Sequence, residues 1–365
     1  MDTIETRKSA LLITNKPKKI LLITKFYQPD IGSLATYASF LKEELPKHTK
    51  DKIRIITLTW SELKNWPNFL RLPVVFFKAL NRGRFCDVIY SLDSLFLGLI
   101  SSWVAVFLRK PFWLKIDSDQ LWHDVYCHKF FTADPVAFIT QPLAGWVGWK
   151  RKIQFKVLNS AKVIIVPNKK IEKLVLLWGV AKERIILIPN SFEPPQSIEN
   201  KETIRKKWRV TGKIIIAGGR LEPDKRLDSL IKHMPEILNH LPEVKLMIVG
   251  IGSEQDQLKT LISELNLEDS VVLTGKLDLE TLYIYLRLAD LFVDSSIYLG
   301  SEQLLLEAAT LGTKSLVLEG DNLSAGHIIK ALSGSESGAI VFSPFSALRS
   351  NKENIIELAR LIPRG

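Results

Sequence analysis

The chain has 365 residues, which is long enough for two domains that each bury a core of their own. With 46% hydrophobic and 24% charged residues, the composition is that of a globular protein and argues against a disordered one. The net charge of +11 comes from the first half, since residues 1–200 hold 30 lysines and arginines against 17 acids and the remainder holds 20 against 22. That half is expected to prefer an anionic partner, although a solvated basic face would have the same composition.

The N-terminal region and the cysteines indicate the cellular compartment of the protein. Residues 1–17 are predicted to be a loose leader, and their acids and lack of a long apolar region argue against a secretory signal. Cys86 and Cys127 are far apart, which argues against a disulfide framework and fits a reducing cytosol. The apolar segment LFLGLISSWVAVFL, residues 95–108, is too short to span a bilayer and is predicted to be a core helix. A cytoplasmic protein is expected.

Residues 18–192 alternate apolar runs with helical patterns. The first run, KKILLITKFY, lacks the polar alternation of a half-exposed strand, as is typical of a parallel strand buried on both faces. Further strands are predicted in IRIITLTW, DVIYSL, PFWLKID, KVIIVPN and RIILIPN, with helices between them, for example NFLRLPVVFFKAL. This alternation predicts a doubly wound parallel sheet.

The pattern restarts after a polar segment with two adjacent prolines, so residues 193–212 are predicted to be a linker. Residues 213–345 then contain the strand patterns KIIIAGG, VKLMIVG, VVLTG, LFVDS and KSLVLEG, and residues 346–365 are predicted to form a C-terminal helix. We therefore predict two Rossmann-like α/β domains that face each other across a cleft. Ligands of such sheets bind at the carboxyl ends of the strands, so the loops after these strands are candidates for a site.

The loop AGGRLEPDKRLDSL contains the clearest candidate residues. Gly218 and Gly219 would let a ligand approach the backbone, Arg220 offers a planar fork of donors for phosphate, and Lys225 adds a compact positive charge. Together the two cations could neutralise a diphosphate leaving group without a metal. The alternative is a surface loop whose basic residues are solvated.

Two other elements are ambiguous when taken alone. Gly250 and Gly252 form a GxG after a strand, but Gln255 stands where a dinucleotide fingerprint needs a third glycine, and a tight turn explains the pair equally well. Glu307 lies early in a helix that follows a strand, where a carboxylate could accept hydrogen bonds from the vicinal hydroxyls of a ribose. A favourable charge near the helix N-terminus is the alternative.

In combination these motifs resemble the donor domain of glycosyltransferase family 4, the retaining GT-B enzymes. The resemblance is carried by GGRLEPDKRLDSL, MIVGIGSEQDQL, VVLTGKL, LADLFVDSS and LLLEAATLG, and in the first half by ILLITKFYQPDIGSLATY, DVIYSLD, RKIQFKVLNSAKVIIVPN and LLWGVAKERIILIPNSFE. It implies Arg220 and Lys225 at the donor diphosphate and Glu307 at the nucleotide ribose. It also implies a donor-binding set that comprises Gly32, Ser33, Gly218, Gly219, Gly250, Gly252, Gly275, Glu302 and Glu307.

The sequence departs from the family's pattern at three places. Leu299 stands where the family shows a glutamate eight residues before the ribose glutamate, and leucine accepts no hydrogen bond from a donor sugar. Glu302 is the candidate substitute, although it lies five residues before Glu307 and a regular helix would not place both on one face. The usual glycine pair of the first loop is Gly32 and Ser33 here. The loop DSDQLWHD aligns Asp119 with a family aspartate that would contact the transferred sugar or orient the acceptor, and a turn residue bonded to its own backbone is the alternative.

The remaining signals concern metals and partners. His123, Cys127 and His128 lack the paired spacings of a zinc site, so no metal and no cofactor are expected. No nucleic-acid signature is present. The segments NWPNFLRLPVVFFKALNRGR and GWVGWKRKIQFK interleave aromatic residues with cations, which suits peripheral contact with an anionic membrane, unless the aromatics are core residues.

The leading hypothesis is therefore a metal-independent retaining transferase of the hexosyltransferase type. It would move a sugar from a nucleotide diphosphate sugar to a lipid-linked or polysaccharide acceptor of the cell envelope, at the cytosolic face of the membrane. The departure at Leu299 motivates an alternative, a non-catalytic GT-B-like protein that binds a nucleotide or a glycan, or acts as a partner subunit. A nucleotide-sugar epimerase of the same architecture is a third hypothesis, for which the sequence offers no convincing acid–base set.

Overall fold

The structure is a computed structural model that describes residues 18–27, 33–48, 53–63, 66–131, 134–195, 197–298, 302–318, 323–333 and 340–342, together with residues 354, 357, 358 and 361. It contains two six-stranded sheets, each in its own α/β domain. Among the described residues, no helix combines the length and the apolar character needed to cross a bilayer.

The sheet of the first domain is entirely parallel in the order β2-β1-β3-β4-β5-β6. Its central strands are buried on both faces, as the unbroken apolar runs predict. The strands are β1 Lys18–Thr24, β2 Ile53–Thr59, β3 Val88–Ser91, β4 Phe112–Lys115, β5 Val163–Val166 and β6 Ile185–Leu187. The helices are α1 Ser33–His48, α2 Asn68–Gly83, α3 Phe96–Leu108, α4 Gln120–Cys127, α5 Pro135–Thr140, α6 Gly145–Ser160 and α7 Lys169–Leu177.

The sheet of the second domain has the order β12-β11-β10-β7-β8-β9, with five parallel strands and an antiparallel edge strand, β12. The strands are β7 Ile214–Gly218, β8 Lys245–Val249, β9 Val271–Gly275, β10 Leu291–Asp294, β11 Ser315–Val317 and β12 Ile340–Phe342. The helices are α8 Lys201–Lys207, α9 Leu227–His240, α10 Gln255–Glu264, α11 Leu279–Leu288, α12 Gln303–Thr310 and α13 Ala325–Ser333. The predicted two-domain, Rossmann-like architecture is confirmed.

The linker contains a helix that the sequence pattern did not reveal. Asn200 caps α8 by accepting a hydrogen bond from the backbone N–H of Thr203 at 2.9 Å. The helix is held against the second domain because Lys201 and Arg205 both pair with Asp290, each at 3.0 Å. Part of residues 193–212 is therefore attached to the second domain.

The segment predicted to be a core helix, residues 95–108, forms α3, but only one side of this helix is buried. Leu97, Ile100 and Val104 pack into the core, whereas Val106 and Phe107 are largely exposed. The prediction of a core helix is wrong for this outer side. A high content of apolar residues does not by itself identify which side of a helix is covered.

The two domains meet at α4 and at the loops that follow β7 and β10. Leu121 and Trp122 of α4 pack against Ile297 and Tyr298, which follow β10, and the rings of Trp122 and Tyr298 lie 6.2 Å apart. A 3-10 turn over Pro223–Lys225 also contacts α4. This contact brings the carboxyl-end loops of the second sheet against the first domain.

Candidate functional site

The loop after β7 lies where the order of the second sheet reverses. β7 has β10 on one side and β8 on the other, so its carboxyl end is the switch point at which open α/β sheets bind ligands. Gly218 has a φ of 143°, and a Cβ there would lie 2.1 Å from the carbonyl oxygen of Val249. At Gly219 the nearest atom to an added Cβ is Cε of Lys225 at 3.9 Å, so this glycine leaves space in front of the lysine.

Gly250 and Gly252 have a structural role that the GxG pattern left open. A Cβ on Gly250 would lie 1.8 Å from the carbonyl oxygen of Gly219, and one on Gly252 would lie 2.3 Å from that of Leu221. The two glycines let the loops after β7 and β8 pack backbone against backbone. Gly275 ends β9 with a φ of 71°, and its backbone oxygen accepts a hydrogen bond from the N–H of Gly250 at 3.0 Å. Whether these glycines contact a donor stays a prediction.

Lys225 is held at the end of the 3-10 turn by the loop that follows β10. Its Nζ donates to Oγ of Ser296 at 3.0 Å, and the same hydroxyl donates to Asp294. Oγ of Ser295 donates to the backbone oxygen of Lys225 at 2.7 Å, and the N–H of Ile297 donates to that of Asp224 at 2.9 Å. The loop after β10 therefore holds both the side chain and the backbone of Lys225.

Arg220 is exposed, and its guanidinium faces the first domain. Nη2 lies 3.4 Å from Nε2 of His123 on α4. The same imidazole nitrogen lies 3.5 Å from Oδ1 of Asp224, which is buried under Arg220 and Lys225. Burial acts to raise the pKa of Asp224, but His123, then Lys225 and Arg220, hold it below its ordinary value. The buried Asp224 thus lies near enough to both cations for each of them to lower its pKa.

His123, Cys127 and Asp224 are the group of described residues whose donor atoms could hold a metal ion. Their potential ligand atoms lie within 4.8 Å of one another. His128, which is close to His123 and Cys127 in sequence, does not belong to this group. Burial and the nearby Asp224 raise the pKa of the Cys127 thiol to about 12, which favours the neutral thiol. Since Arg220 also lies next to His123, the cluster is better explained as a polar contact between the domains. The expected absence of a metal stays a prediction.

Glu307 is more deeply buried than its sequence position indicates. Glu307 is 3% exposed. Nε2 of Gln303, one turn earlier in α12, donates a hydrogen bond to Oε1 of Glu307 at 2.9 Å. Burial raises the pKa of Glu307 to about 7 although Gln303 lowers it. Burial, and then the negative charge of Glu307, raise the pKa of Tyr283. A carboxyl group buried this deeply would gain from a ligand that donates hydrogen bonds to it.

Glu302 and Glu307 do not share a helix face. Glu302 precedes α12 in the left-handed conformation, with a φ of 54°, and its backbone oxygen accepts a hydrogen bond from Leu306 at 2.8 Å. Gln303 takes the position next to Glu307 instead. Leu299 and Gly32 lie outside the described residues, and Ser33 is the first residue of α1.

Asp119 is fully buried and has structural partners on both oxygens. It is the N-cap of α4, where Oδ1 accepts hydrogen bonds from the N–H groups of Leu121 and Trp122, each at 3.1 Å. Oδ2 pairs with Arg151 of α6 at 2.9 Å, and Gln154 donates to Oδ1 at 3.1 Å. In this arrangement the carboxylate fixes the start of the helix that carries His123. Contact between Asp119 and the transferred sugar stays a prediction.

A buried ion pair at the carboxyl end of β4 was not predicted from the sequence. Nζ of Lys115 lies 3.2 Å from Oδ1 of Asp117 and 4.1 Å from the ring centre of Tyr37 on α1. Burial lowers the pKa of Lys115, and Asp117 opposes that change. The hydroxyls of Tyr37 and Tyr90 lie 2.9 Å apart beside it. This pair lies at the cleft edge of the first sheet, and only its charge within an apolar strand could have drawn attention to it.

Comparison with known proteins supports this arrangement of domains and loops. Residues 200–343 match the model of a family described as "Glycosyl transferases group 1". The alpha-monoglucosyldiacylglycerol synthase of Streptococcus pneumoniae is 24% identical over 304 residues, which cover 76% of this chain and 66% of that protein. The mannosylfructose-phosphate synthase of Agrobacterium fabrum is 29% identical over 184 residues, which cover 46% and 40% of the two chains. The chain thus spans two thirds or less of these relatives.

A solved structure of Anabaena HepE in complex with UDP-glucose superposes with a TM-score of 0.63 at 16% identity, covering 87% of this chain and 89% of that one. At this identity the likeness concerns the fold alone. The fold is GT-B, two Rossmann-like domains across a cleft. Residues 200–343 of the chain, most of its second domain, match the family of group 1 glycosyl transferases, and the likeness of the whole chain to solved glycosyltransferase structures is one of fold.

Proposed function

We propose that the protein is a retaining glycosyltransferase that moves a sugar from a nucleotide diphosphate sugar to a glycan or lipid-linked acceptor. The observation that carries the proposal is the convergence of Arg220 and Lys225 at the switch point of the second sheet, with Glu307 buried on the helix that follows the neighbouring strand. The family match of this domain supports it. UDP-glucose, the ligand named for HepE, is the first donor to test.

The two cations would act on the leaving group. During transfer the bond between the anomeric carbon and the diphosphate oxygen breaks, and its electron pair leaves with the diphosphate. The acceptor hydroxyl oxygen forms the new bond, and its proton leaves with the diphosphate. Negative charge grows on the diphosphate as the bond breaks, so Arg220 and the pre-positioned Lys225 would stabilise the transition state more than the bound donor.

Glu307 would recognise the nucleotide. As a buried carboxylate it could accept two hydrogen bonds from the vicinal ribose hydroxyls, which would replace the water that burial removes. The acceptor would enter from the basic first domain, and closure of the cleft would exclude water and limit hydrolysis of the donor.

The contact between His123 and Arg220 gives this closure a specific consequence. In the structure the imidazole lies within 3.4 Å of the guanidinium, so α4 already reaches the loop that would hold the diphosphate. A diphosphate bound at Arg220 would compete with His123 and Asp224 for the guanidinium. Donor binding is therefore expected to exchange the contact between Arg220 and His123 for one between Arg220 and the diphosphate, with α4 still beside the loop in the closed cleft.

The first prediction concerns Arg220→Ala. Loss of a charge-assisted contact that strengthens in the transition state is expected to lower the rate of nucleoside diphosphate release by about 100-fold or more. Release is measured with UDP-glucose and a panel of other nucleotide sugars, with a whole-lipid extract as acceptor. Arg54→Ala, at an exposed position on the edge strand β2, is the matched control and is expected to keep wild-type turnover. Unchanged turnover in Arg220→Ala would refute the role of this loop.

The same panel tests the alternative of a non-catalytic binding protein, which the departure at Leu299 favours. Calorimetry that detects a bound nucleotide sugar, without release of the diphosphate in any acceptor mixture, would support that alternative over transfer. Retention is tested separately, since the anomeric configuration of the product by NMR must equal that of the donor.

A further inference from the structure

Three helices on one side of the first sheet form a layer whose outer side carries exposed large apolar residues. α3 packs between α2 and α6, and the inner sides of all three helices fill the same core. Their outer side presents large apolar side chains to solvent: Phe77 is 67% exposed, Val106 is 74% exposed and Phe107 is 71% exposed. We call this surface the α2–α3–α6 face, and its exposed apolar residues are Phe77, Phe85, Trp103, Val106, Phe107, Trp146 and Trp149.

The charges of these helices have a single sign. The sequences of α2, α3 and α6 contain seven lysines and arginines and no aspartate or glutamate. Arg151 points into the protein and pairs with Asp119, and Arg82 pairs with Glu62. Lys152 and Lys156 are exposed on α6, and Arg84 is exposed directly after α2. The exposed cations of this face would therefore attract an anionic surface.

Cations and aromatic rings are also interleaved in space. Nζ of Lys156 lies 5.8 Å from the ring centre of Trp103, which links α6 to α3. The guanidinium of Arg84 lies 4.6 Å from the ring of Phe85, and the ring of Phe96 on α3 lies 5.8 Å from that of Trp149 on α6. Cations of α6 and of the residue after α2 thus lie beside aromatic rings of this face. This arrangement suits the boundary between lipid head groups and acyl chains.

We propose that the α2–α3–α6 face docks the protein on an anionic lipid bilayer. Val106 and Phe107 would enter the apolar boundary, and Lys152, Lys156 and Arg84 would contact the anionic head groups. Protruding aliphatic and aromatic groups are unsuited to a phosphate backbone, which argues against nucleic acid as the occupant. The proposal does not depend on the donor site, since these helices lie on the first domain and the cations of the loop after β7 lie on the second.

The test is co-sedimentation of the full chain with vesicles. Wild-type protein is expected to bind vesicles that mix phosphatidylcholine with phosphatidylglycerol, to bind pure phosphatidylcholine at least about tenfold more weakly, and to be released by salt. The triple variant Phe77→Ser, Val106→Ser, Phe107→Ser is expected to lose binding to the mixed vesicles by about tenfold or more. Lys152→Glu with Lys156→Glu is expected to remove the preference for anionic lipid.

Matched controls separate docking from misfolding. Val272→Ser with Leu279→Ser changes exposed apolar residues of the second domain and is expected to leave vesicle binding unchanged. Circular dichroism and nucleotide binding must stay at wild-type values in the triple variant, since none of its residues lies near the donor site.

Three outcomes would overturn the proposal. The first is failure of the wild-type protein to bind the mixed vesicles, and the second is equal binding to vesicles whatever their charge. The third outcome is a self-association of the protein that the triple variant abolishes, which would assign the face to a second copy of the chain. Because vesicle binding is measured without a nucleotide sugar, its failure is distinguishable from failure of the proposed transferase activity.

Discussion

Glu307 shows how one buried carboxyl group can connect function with stability. Its pKa rises from 4.5 to about 7 because burial disfavours the charged form. The folded protein therefore holds a proton on Glu307 between these two pH values, where the unfolded chain has already released it. The contribution of Glu307 to the free energy of unfolding therefore falls as pH rises through this window and levels off above it. At neutral pH the protein carries a group that is poised to accept hydrogen bonds from a ligand at a cost to its own stability.

The second prediction follows from this balance. Glu307→Gln removes the ionisable group, so the free energy of unfolding of the variant relative to wild type is expected to increase by roughly 3 kcal/mol at most between pH 5 and pH 8. Urea unfolding at both pH values measures the difference, and comparison with wild type cancels the contributions of the other acids. An identical pH dependence in the two proteins would contradict the raised pKa.

The same variant has an opposite effect on ligand binding. If Glu307 accepts hydrogen bonds from ribose hydroxyls, the amide offers one fewer acceptor oxygen and nucleotide affinity falls by about tenfold. A variant that is more stable at pH 8 and binds nucleotide more weakly would indicate a residue retained for function. Unchanged affinity would leave Glu307 as a structural residue only.

At the scale of elements, the site depends on two loops that touch backbone to backbone. The loop after β7 can carry Arg220 and Lys225 only if the loop after β8 stays close beneath it, and Gly250 permits this because it has no Cβ. The loop after β10 completes the arrangement through Ser295 and Ser296. The position of the two cations is thus a property of three neighbouring loops.

The third prediction concerns this close approach. Gly250→Ala would place a Cβ 1.8 Å from a backbone oxygen at a φ of 121°, so we expect a loss of about 2 kcal/mol or more in the free energy of unfolding and weaker nucleotide binding. Gly275→Ala is the control, since no atom lies within 4 Å of its added Cβ and only the left-handed φ costs about 1–2 kcal/mol. Equal effects of the two substitutions in urea unfolding would show that the contact is unimportant.

At the scale of the whole molecule, the chain returns from the second domain to the first. Leu358 is fully buried among first-domain residues that include Leu22 and Trp113, and Nδ2 of Asn354 donates to Oγ of Ser191 at 3.0 Å. The two domains are therefore connected twice, by the segment that contains α8 and by this C-terminal segment. The described residues of the C-terminal segment thus pack on the first domain.

The fourth prediction tests this second connection. Leu358→Ala is expected to lower the free energy of unfolding of the first domain by about 2–5 kcal/mol, because the substitution leaves a cavity in its core. Leu361→Ala, at a partly buried position that packs against the same core, is the control with a smaller expected effect. Urea unfolding followed by hydrogen exchange in β1 and β4 reports on this domain. A wild-type midpoint for Leu358→Ala would mean that the segment does not pack there in solution.

Local patterns were sufficient to predict the parallel strands of both sheets and the loops that carry the candidate residues, but not the antiparallel edge strand β12. Unbroken apolar runs such as ILLIT identify strands buried on both faces, and the carboxyl ends of those strands then locate Arg220 and Lys225. The face shared by Gln303 and Glu307 follows from their spacing of one helical turn, so the sequence contained that signal although it was not among the predictions.

Other features depended on contacts between residues that are distant in the chain. The sequence alone determined two Rossmann-like domains and the loops at their carboxyl edges, because strand and helix periodicity is local. Only the tertiary structure decided that Asp119 is a buried cap held by Arg151, that His123 reaches Arg220, that Leu358 belongs to the first domain and that one side of α3 faces solvent. Burial and pairing depend on what packs against a residue, and the periodicity of its own segment does not contain that information.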